Sequence, residues 1–515
     1  MKSLYKKFVH FDPPKDVNKR LFELKNKDSL YWLKLGEKNV LRLANFVLNS
    51  TPAYKKFLLD SGLNYKKILK IEDFLNLPPI NKNNYLRKYD YLDLFPYRDI
   101  TITSTVSATS GSTGEPFYFP RGQNLDDQYK YVTEIFLKNQ WEVNDLKTLC
   151  IICFGLGLWI GGIYTNKAWD ELTKKGYKLT VAPVGTNKEL MLKTFKALAP
   201  FYDQVVLVGY PPFIKDLADE GILNNIEWKK HKIRVLNAAE SFSEKFREYF
   251  ADKFGLKNII NDNINMYGTV ELGAMGHETA FSNLIRRIAL EKDKTFRAIF
   301  REANRIPTLA QYHPYIVWFE EKDGLILASG YGNSIPLLRY SFPDRGGVIY
   351  FDDMVKRLKS CGIDIFKEAE KAGIKDKILK LPFVYVYERS DFAVSLVGIN
   401  IYPEYIKNAI IKKELQKYFT GKFSMIVNYD KKMNQKLVVH IELKKLIKPN
   451  KKIEKIAQEE ITHSLLKNST EYNHLYSSGS LEYKKQLEPE IILHFYEDPN
   501  YFRPGIKQKW SIKNN

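Results

Sequence analysis

From about residue 148 to residue 271 one pattern recurs: a short apolar run, a loop of glycine, proline or polar residues, then an amphipathic helix. The apolar runs fall at 149–154, 204–208, 233–236 and 264–266, and helical periodicity follows each of the first three. Short apolar strands alternating with helices are the signature of an α/β domain whose strands run mainly parallel, because each helix returns the chain to the start of the next strand. In such sheets ligands bind beyond the carboxyl ends of the strands. The residues least suited to a core stand at those ends: Gly209, Tyr210, Glu240, Tyr267, Gly268 and Glu271.

The rest of the chain reads differently. The first hundred residues are mostly helical in pattern, interrupted at Pro13-Pro14 and Pro78-Pro79. Beyond about residue 390, alternating strands at 423–429 and 436–443 flank a hairpin, with a helix over 453–466 and a strand over 490–496. That describes a small α+β unit. At 515 residues the chain exceeds one ordinary core. The expected division is 1–388 and 389–515, with the helical stretch 352–381 as an insertion that could cap a site or meet a partner.

Charge and cysteines narrow the function. A formal net charge of +20 suggests a polyanionic partner. The lysines, however, are spread along the whole length without an arginine-rich arm, so nucleic-acid binding is not expected. Three cysteines exclude a disulfide scaffold and suit a reducing, cytoplasmic setting. Cys150 and Cys153 lie inside an apolar run and have no second pair to complete a zinc site. The longest apolar stretch, 149–164, is broken by four glycines and is too short to span a bilayer. No Walker P-loop, G-x-S-x-G elbow or H-E-x-x-H is present. His277 and His313 read as structural.

One loop carries unusual chemistry. Residues 109–114 are Thr109, Ser110, Gly111, Ser112, Thr113 and Gly114: four hydroxyls and two glycines in succession. Hydroxyls and closely approachable backbone N–H groups suit a phosphate. Taken alone, the run is equally a polar surface turn.

Four segments, in order, resemble the adenylate-forming superfamily of acyl-CoA synthetases, peptide-synthetase adenylation domains and luciferases. They are the 109–116 loop; Tyr267-Gly-Thr-Val-Glu271, similar to a Y-G-x-T-E segment; Leu338-Arg-Tyr-Ser-Phe-Pro-Asp344, similar to R-Y-x-x-G-D; and Glu388-Arg389-Ser-Asp391 followed by Gly398-Ile-Asn-Ile-Tyr-Pro403. The last two, with Leu77-Pro-Pro-Ile-Asn-Lys82, look most like the phenylacetate–coenzyme A ligase branch, which includes ligase-like proteins of capsule-polysaccharide clusters. The resemblance covers roughly residues 75–510.

It implies a large multi-layer N-terminal domain with mainly parallel sheets and a small mobile C-terminal domain. It also implies adenylation of a carboxylic acid by ATP with release of pyrophosphate, then transfer to coenzyme A or another thiol. By the same resemblance Thr109 to Gly114 hold phosphates; Tyr267, Gly268 and Thr269 line the nucleotide site with Glu240; and Glu271 binds Mg²⁺. Asp344 takes the ribose hydroxyls and Arg389 supports ribose or phosphate. Asp391 is the hinge, Gly398 lies at the thiol tunnel, and Lys507 bridges carboxylate and α-phosphate, with Lys509 as the fallback.

Several positions depart from the pattern. Val270 replaces a threonine, Pro343 replaces a glycine, Ile506 precedes Lys507, and 44 residues separate Asp344 from Arg389. An amine acceptor (a sugar amine or amino acid), a carrier protein, or a non-catalytic nucleotide-binding relative remain alternatives. The acid pocket is expected among 154–164, 210–213 and 266–275, whose apolar and aromatic character favours an aryl or hydrophobic acid.

Overall fold

A computed structural model describes residues 14, 16–108, 116–158, 160–239, 241–242, 244–300, 307–330, 334–387, 393–410, 412, 414–415 and 417–502, apart from the side chains at 212, 245 and 404. The chain divides into two compact units, Met1–Ala108 with Tyr118–Glu388, and Thr109–Phe117 with Arg389–Asn515.

In the first unit, helices Val17–Asn26, Ser29–Ser50 and Pro52–Asp60 fill the N-terminal stretch. A hairpin of β1 (Thr105–Ala108) and β2 (Tyr118–Arg121) follows. The main sheet has 11 strands. Its parallel part is β3 (Thr148–Ile152), β4 (Leu179–Pro183), β5 (Gln204–Gly209), β6 (Ile233–Ala238) and β7 (Asn263–Thr269). They stand in the order β7-β6-β5-β3-β4. Every residue of β3 and β5 is buried, as strands covered by helices on both faces must be. Helices Ile160–Thr173, Pro211–Leu223 and Glu244–Phe254 make the crossovers where the apolar periodicity placed them.

Beyond β7 the sheet continues antiparallel through β8 (Gly273–His277), β9 (Thr308–Gln311), β10 (Val317–Lys322), β11 (Leu325–Gly330), β12 (Leu337–Ile349) and β13 (Phe383–Val386). β12 pairs first with β11 and then with β13. At the changeover a side chain on Gly346 would place its Cβ 2.0 Å from the Tyr385 carbonyl oxygen, so only glycine fits. Between the pairs Leu327–Ser341 and Leu325–Arg345, β12 advances four residues against two on β11. Pro343, lacking an N–H, sits in that bulge without breaking a ladder bond.

The segment 352–381 is helical over Phe351–Ser360 and Ile365–Lys371. Its apolar side is spent on packing: Met354, Leu358, Ile365 and Ala369 join Phe281, Phe351 and Phe383 in one buried cluster.

The second unit contains the hairpin β14 (Val394–Leu396) and β15 (Ile399–Ile401), and a three-stranded sheet. In that sheet β16 (Phe419–Tyr429) pairs antiparallel and β18 (Glu490–His494) parallel with β17 (Gln435–Leu443). The helix Lys451–Asn468 packs on it, completing an α+β unit. Among the described residues no helix is long and apolar enough to cross a membrane.

Candidate functional site

The parallel strands end together, so Gly209, Ala238 and Thr269 share one edge of the sheet. The Tyr267-Gly-Thr segment is the last part of β7, and the chain turns through 270–272 into β8. Two glycines set this turn. A Cβ on Gly268 would lie 2.7 Å from the Gly273 carbonyl oxygen. Gly273 has φ +69°, and a Cβ there would lie 2.5 Å from the Tyr164 hydroxyl. The Leu272 N–H donates to Thr269 Oγ1 at 3.3 Å, tightening the turn that presents Glu271.

Tyr267 and Asp344 meet. The Tyr267 hydroxyl donates to Asp344 Oδ2 at 2.8 Å, across 77 residues of sequence. Asp344 is only 7% exposed. The Tyr267 ring lies along Phe319 of β10, centroids 6.1 Å apart and planes 26° apart. A buried carboxylate beside an aromatic surface is an arrangement that can take a ribose diol next to a flat base.

Glu271 is held by cationic and phenolic neighbours. Lys82 Nζ lies 3.0 Å from its Oε1, and the Tyr340 hydroxyl donates to the same oxygen at 3.4 Å. Lys82 is positioned by the segment before it. Ile80 forms a parallel bridge with Tyr340, its N–H donating to the Arg339 carbonyl at 3.2 Å and its carbonyl accepting from Ser341 N at 2.8 Å. Arg339 adopts φ 49°, a left-handed conformation unusual for a non-glycine residue. Its guanidinium donates to both oxygens of Glu320, at 3.0 and 3.2 Å, and to the Leu77 carbonyl. Burial pushes the Glu320 carboxyl up to about 7, against the opposing pull of Arg339. The 77–82 segment, β10 and β12 are thereby tied into one frame behind Glu271.

Glu271 supplies one hard oxygen, and among the described residues no group of three His, Cys, Asp or Glu could hold a metal. Mg²⁺ typically takes one or two carboxylates and completes its shell with phosphates and water. A single carboxylate of this kind fits an ion that would be shared with a polyphosphate, with Glu271 as the residue that would hold it.

Of the other expected site residues, Thr109, Ser110, Gly111, Ser112, Thr113, Gly114, Glu240, Arg389, Asp391 and Lys507 lie outside the described residues. Their flanks are informative. Ala108 and Tyr118, on either side of the 109–114 stretch of sequence, pair in the β1–β2 hairpin. Ala239, next to Glu240, has φ 77°, the kind of backbone strain that gathers at functional sites. Phe502, five residues before Lys507, is buried with its ring edge-on to His494 at 5.7 Å.

Gly398 occupies the β14–β15 turn with φ +81°, and Val397 before it has φ 53°. Both central residues are therefore left-handed, as a tight hairpin turn requires. For a β-branched valine this is an outlier, and its N–H is held by the Gln435 side chain.

His277 and His313 are buried, with Nδ1 bonded to the Glu278 carbonyl at 2.9 Å and to the Tyr315 hydroxyl at 2.8 Å. Burial pushes His277 down to about 4 and His313 well below its ordinary value. Both are neutral core residues. Cys150 and Cys153 are buried and unpaired by any disulfide.

Sequence reasoning did not assign roles to Lys82, Tyr340 or Phe319. Lys82 and Tyr340 stood inside quoted motifs, yet only the fold puts them on Glu271. Phe319 carried no signal beyond an apolar strand.

No family model matches the chain. Phenylacetate-coenzyme A ligase of Thermus thermophilus is 23% identical over 247 residues, 46% of this chain. The match spans 50% of that relative, so the chain covers about half the length of the curated protein it resembles. Among solved structures, 2-hydroxyisobutyryl-CoA ligase in complex with 2-HIB-AMP and CoA in the thioesterification state aligns with a TM-score of 0.66 and 12% identity. The alignment covers 98% of this chain and 94% of that one. The same ligase in the postadenylation state with 2-HIB-AMP aligns over the same shares at a TM-score of 0.55 and 12% identity. The chain thus resembles a phenylacetate-coenzyme A ligase over part of its sequence and shares the fold of 2-hydroxyisobutyryl-CoA ligase.

Proposed function

We propose that this chain is an AMP-forming ligase. In the first step a carboxylate oxygen of the acid attacks the α-phosphorus of ATP, the bond to the bridging oxygen breaks, and pyrophosphate leaves. In the second, the sulfur of coenzyme A or another thiol attacks the acyl carbon, the thiol proton is lost, and AMP leaves. The observation that carries this reading is the hydrogen bond between Tyr267 and Asp344 with Glu271 in the adjoining turn. It joins two of the four sequence motifs at the carboxyl edge of the parallel strands.

The first step brings two anions together, so the site must neutralise charge and align the reacting groups. Thr109 to Gly114 grip the β- and γ-phosphates. Asp344 accepts from the ribose hydroxyls while Tyr267 fixes its carboxylate. Gly268, Thr269, Glu240 and Arg389 complete the nucleotide's surroundings. Glu271 is the protein ligand for Mg²⁺, which when bound would offset phosphate charge. Lys507 places its ammonium between the entering carboxylate and the α-phosphate. Asp391 is the hinge that exchanges the two half-reactions, and Gly398 lets the thiol's arm pass close to the backbone.

Acid-dependent exchange of labelled pyrophosphate into ATP tests the first step. Wild type is expected to exchange with at least one acid of a broad panel, and Lys507→Ala to lose about a hundredfold or more. Binding of ATP without turnover across the panel would instead leave a non-catalytic nucleotide-binding protein. Comparing product release with coenzyme A and with amines then identifies the acceptor.

A further inference from the structure

Arg121 is an anomaly in a unit whose other buried cations are bonded. It ends β2, and its carbonyl accepts from the N–H of Ser104 at 2.7 Å. Its side chain runs inward, leaving the residue 2% exposed. Nε and Nη1 are buried without a hydrogen-bond partner. Among the described residues no other arginine or lysine buries a side-chain nitrogen in this way. A guanidinium cannot shed its charge, so burial without a partner is costly and calls for an anion.

The neighbours do not supply enough. The nearest carboxylate oxygen is Asp126 Oδ1, 3.9 Å from Nη1: close enough for an ion pair but beyond hydrogen-bond range, so that Oδ1 is itself buried without a hydrogen bond. The other oxygen of Asp126 is taken by Lys167 Nζ at 2.5 Å. Arg121 and Lys167 against Asp126 leave one positive charge in excess, with the Lys167 side chain 34% exposed and the guanidinium buried. The guanidinium carbon lies 4.8 Å over the ring of Tyr164, which stacks on Tyr129 at 4.3 Å. Tyr164 also abuts Gly273, two residues past Glu271. The cluster therefore stands behind the wall where the acid pocket is expected, one aromatic ring from the turn that carries Glu271.

We propose that Arg121, backed by Lys167, binds a second anionic group of the acid substrate, so that the acid is a dicarboxylic or similarly anion-bearing one rather than an uncharged aryl acid. The inference rests on the ligase reading for the identity of the ligand as the acid. A carboxylate at the remote end of the acid would accept from Nε and Nη1 and complete the buried cluster's charge balance. Tyr164 would line the path between that end and the carboxyl that is activated.

The test measures ligand-induced thermal shifts for wild type, Arg121→Met and Arg121→Lys, with succinate, glutarate and adipate against butyrate, valerate and hexanoate, and with ATP alone. Wild type should be stabilised by at least one diacid more than by its matched monoacid. Arg121→Met should lose that preference, Arg121→Lys should keep part of it, and the ATP shift should be unchanged in all three. Pyrophosphate exchange should favour the diacid about ten- to a hundredfold in wild type, the worth of a charge-assisted contact, and lose that preference in Arg121→Met. Diacid shifts equal in wild type and Arg121→Met, no diacid shift in wild type, or a loss of the ATP shift in Arg121→Met would each overturn the proposal. An Arg121-dependent diacid shift without exchange for any acid would overturn the ligase reading while leaving the anion site. Exchange with monoacids that ignores Arg121 would do the reverse.

Discussion

Two charged corners of the large unit lie on either side of one turn, and they are built on opposite terms. On the Glu271 side the charges are met: Lys82 and Tyr340 reach the carboxylate, and the frame behind them closes with the Arg339–Glu320 pair. On the Arg121 side two guanidinium nitrogens are buried without hydrogen bonds. A group whose partners are already in place is held in position before any ligand arrives. A group left wanting adds to binding only when its ligand supplies what is missing. The difference should be visible in stability, because removing a partnered charge exposes a deficit and removing an unpartnered one removes it.

The largest effect is expected where the partnering is most complete. Arg339→Met strips both oxygens of Glu320 and the Leu77 carbonyl of their donor in a site where Arg339 is 4% exposed. Breaking a buried pair from one side costs roughly 3–5 kcal/mol. Denaturant unfolding at neutral pH would measure it. A loss under about 1 kcal/mol would mean the frame is not held by this pair.

The buried histidines sharpen the contrast by showing what an unpartnered group does when it can discharge. His277 Nε2 and His313 Nε2 also lack partners, yet burial lowers both rings toward the neutral form, which avoids the cost of a buried charge. His277 has its folded value lowered to about 4 from an unfolded value near 6.5. Its contribution is therefore complete above about pH 6.5 and is lost as pH falls toward 4, on the order of 3 kcal/mol over the whole window. Other titrating groups cancel when wild type is compared with His277→Gln. The stability of wild type should fall more steeply from pH 6.5 to 4.5 than that of the variant; parallel slopes would show that His277 already titrates normally.

Parts of this comparison were legible in the sequence and parts were not. The runs at 149–154, 204–208 and 233–236 announced β3, β5 and β6, because strands buried on both faces are apolar throughout. The antiparallel half was quieter. β12 contains Ser341, Pro343, Asp344, Arg345, Gly346 and Gly347, which reads as a loop. It is a strand because it bulges at Pro343 and changes neighbours at Gly346. Residue types at the site were readable by resemblance: Tyr267, Glu271 and Asp344 lie in motifs. Their contacts were not, since Lys82 reaches Glu271 across 189 positions of chain through pairings that no local pattern encodes. Arg121 was passed over for the same reason, since it becomes unusual only once its burial is known.

Lys82→Met tests the met side of the turn at its edge. The Glu271 side chain is 8% exposed and would lose the ammonium 3.0 Å from Oε1 while keeping the 3.4 Å Tyr340 contact. Lys82 itself is 28% exposed, so solvent softens the loss to about 1–2 kcal/mol. Pyrophosphate exchange should also need more Mg²⁺, because the carboxylate has lost the ammonium that orients it. An unchanged Mg²⁺ dependence alongside reduced stability would confine Lys82 to a structural role.

Arg121→Met is the smallest expected change in stability and the most discriminating. The substitution takes a charge out of the interior without depriving any neighbour of a hydrogen bond, since Asp126 keeps Lys167. Packing against Tyr164 is retained, because a methionine chain fills similar space and favours aromatic contact. Breaking a buried pair from one side is costly, but Lys167 stays on Asp126 to balance its charge. The ligand-free variant should therefore unfold within about 1 kcal/mol of wild type, or later than it, whereas Lys82→Met unfolds earlier. A destabilisation of Arg121→Met matching that of Lys82→Met would mean that Asp126 and the Tyr164 ring already satisfy the guanidinium. The two corners would then be alike, and the missing anion would have no place in the second.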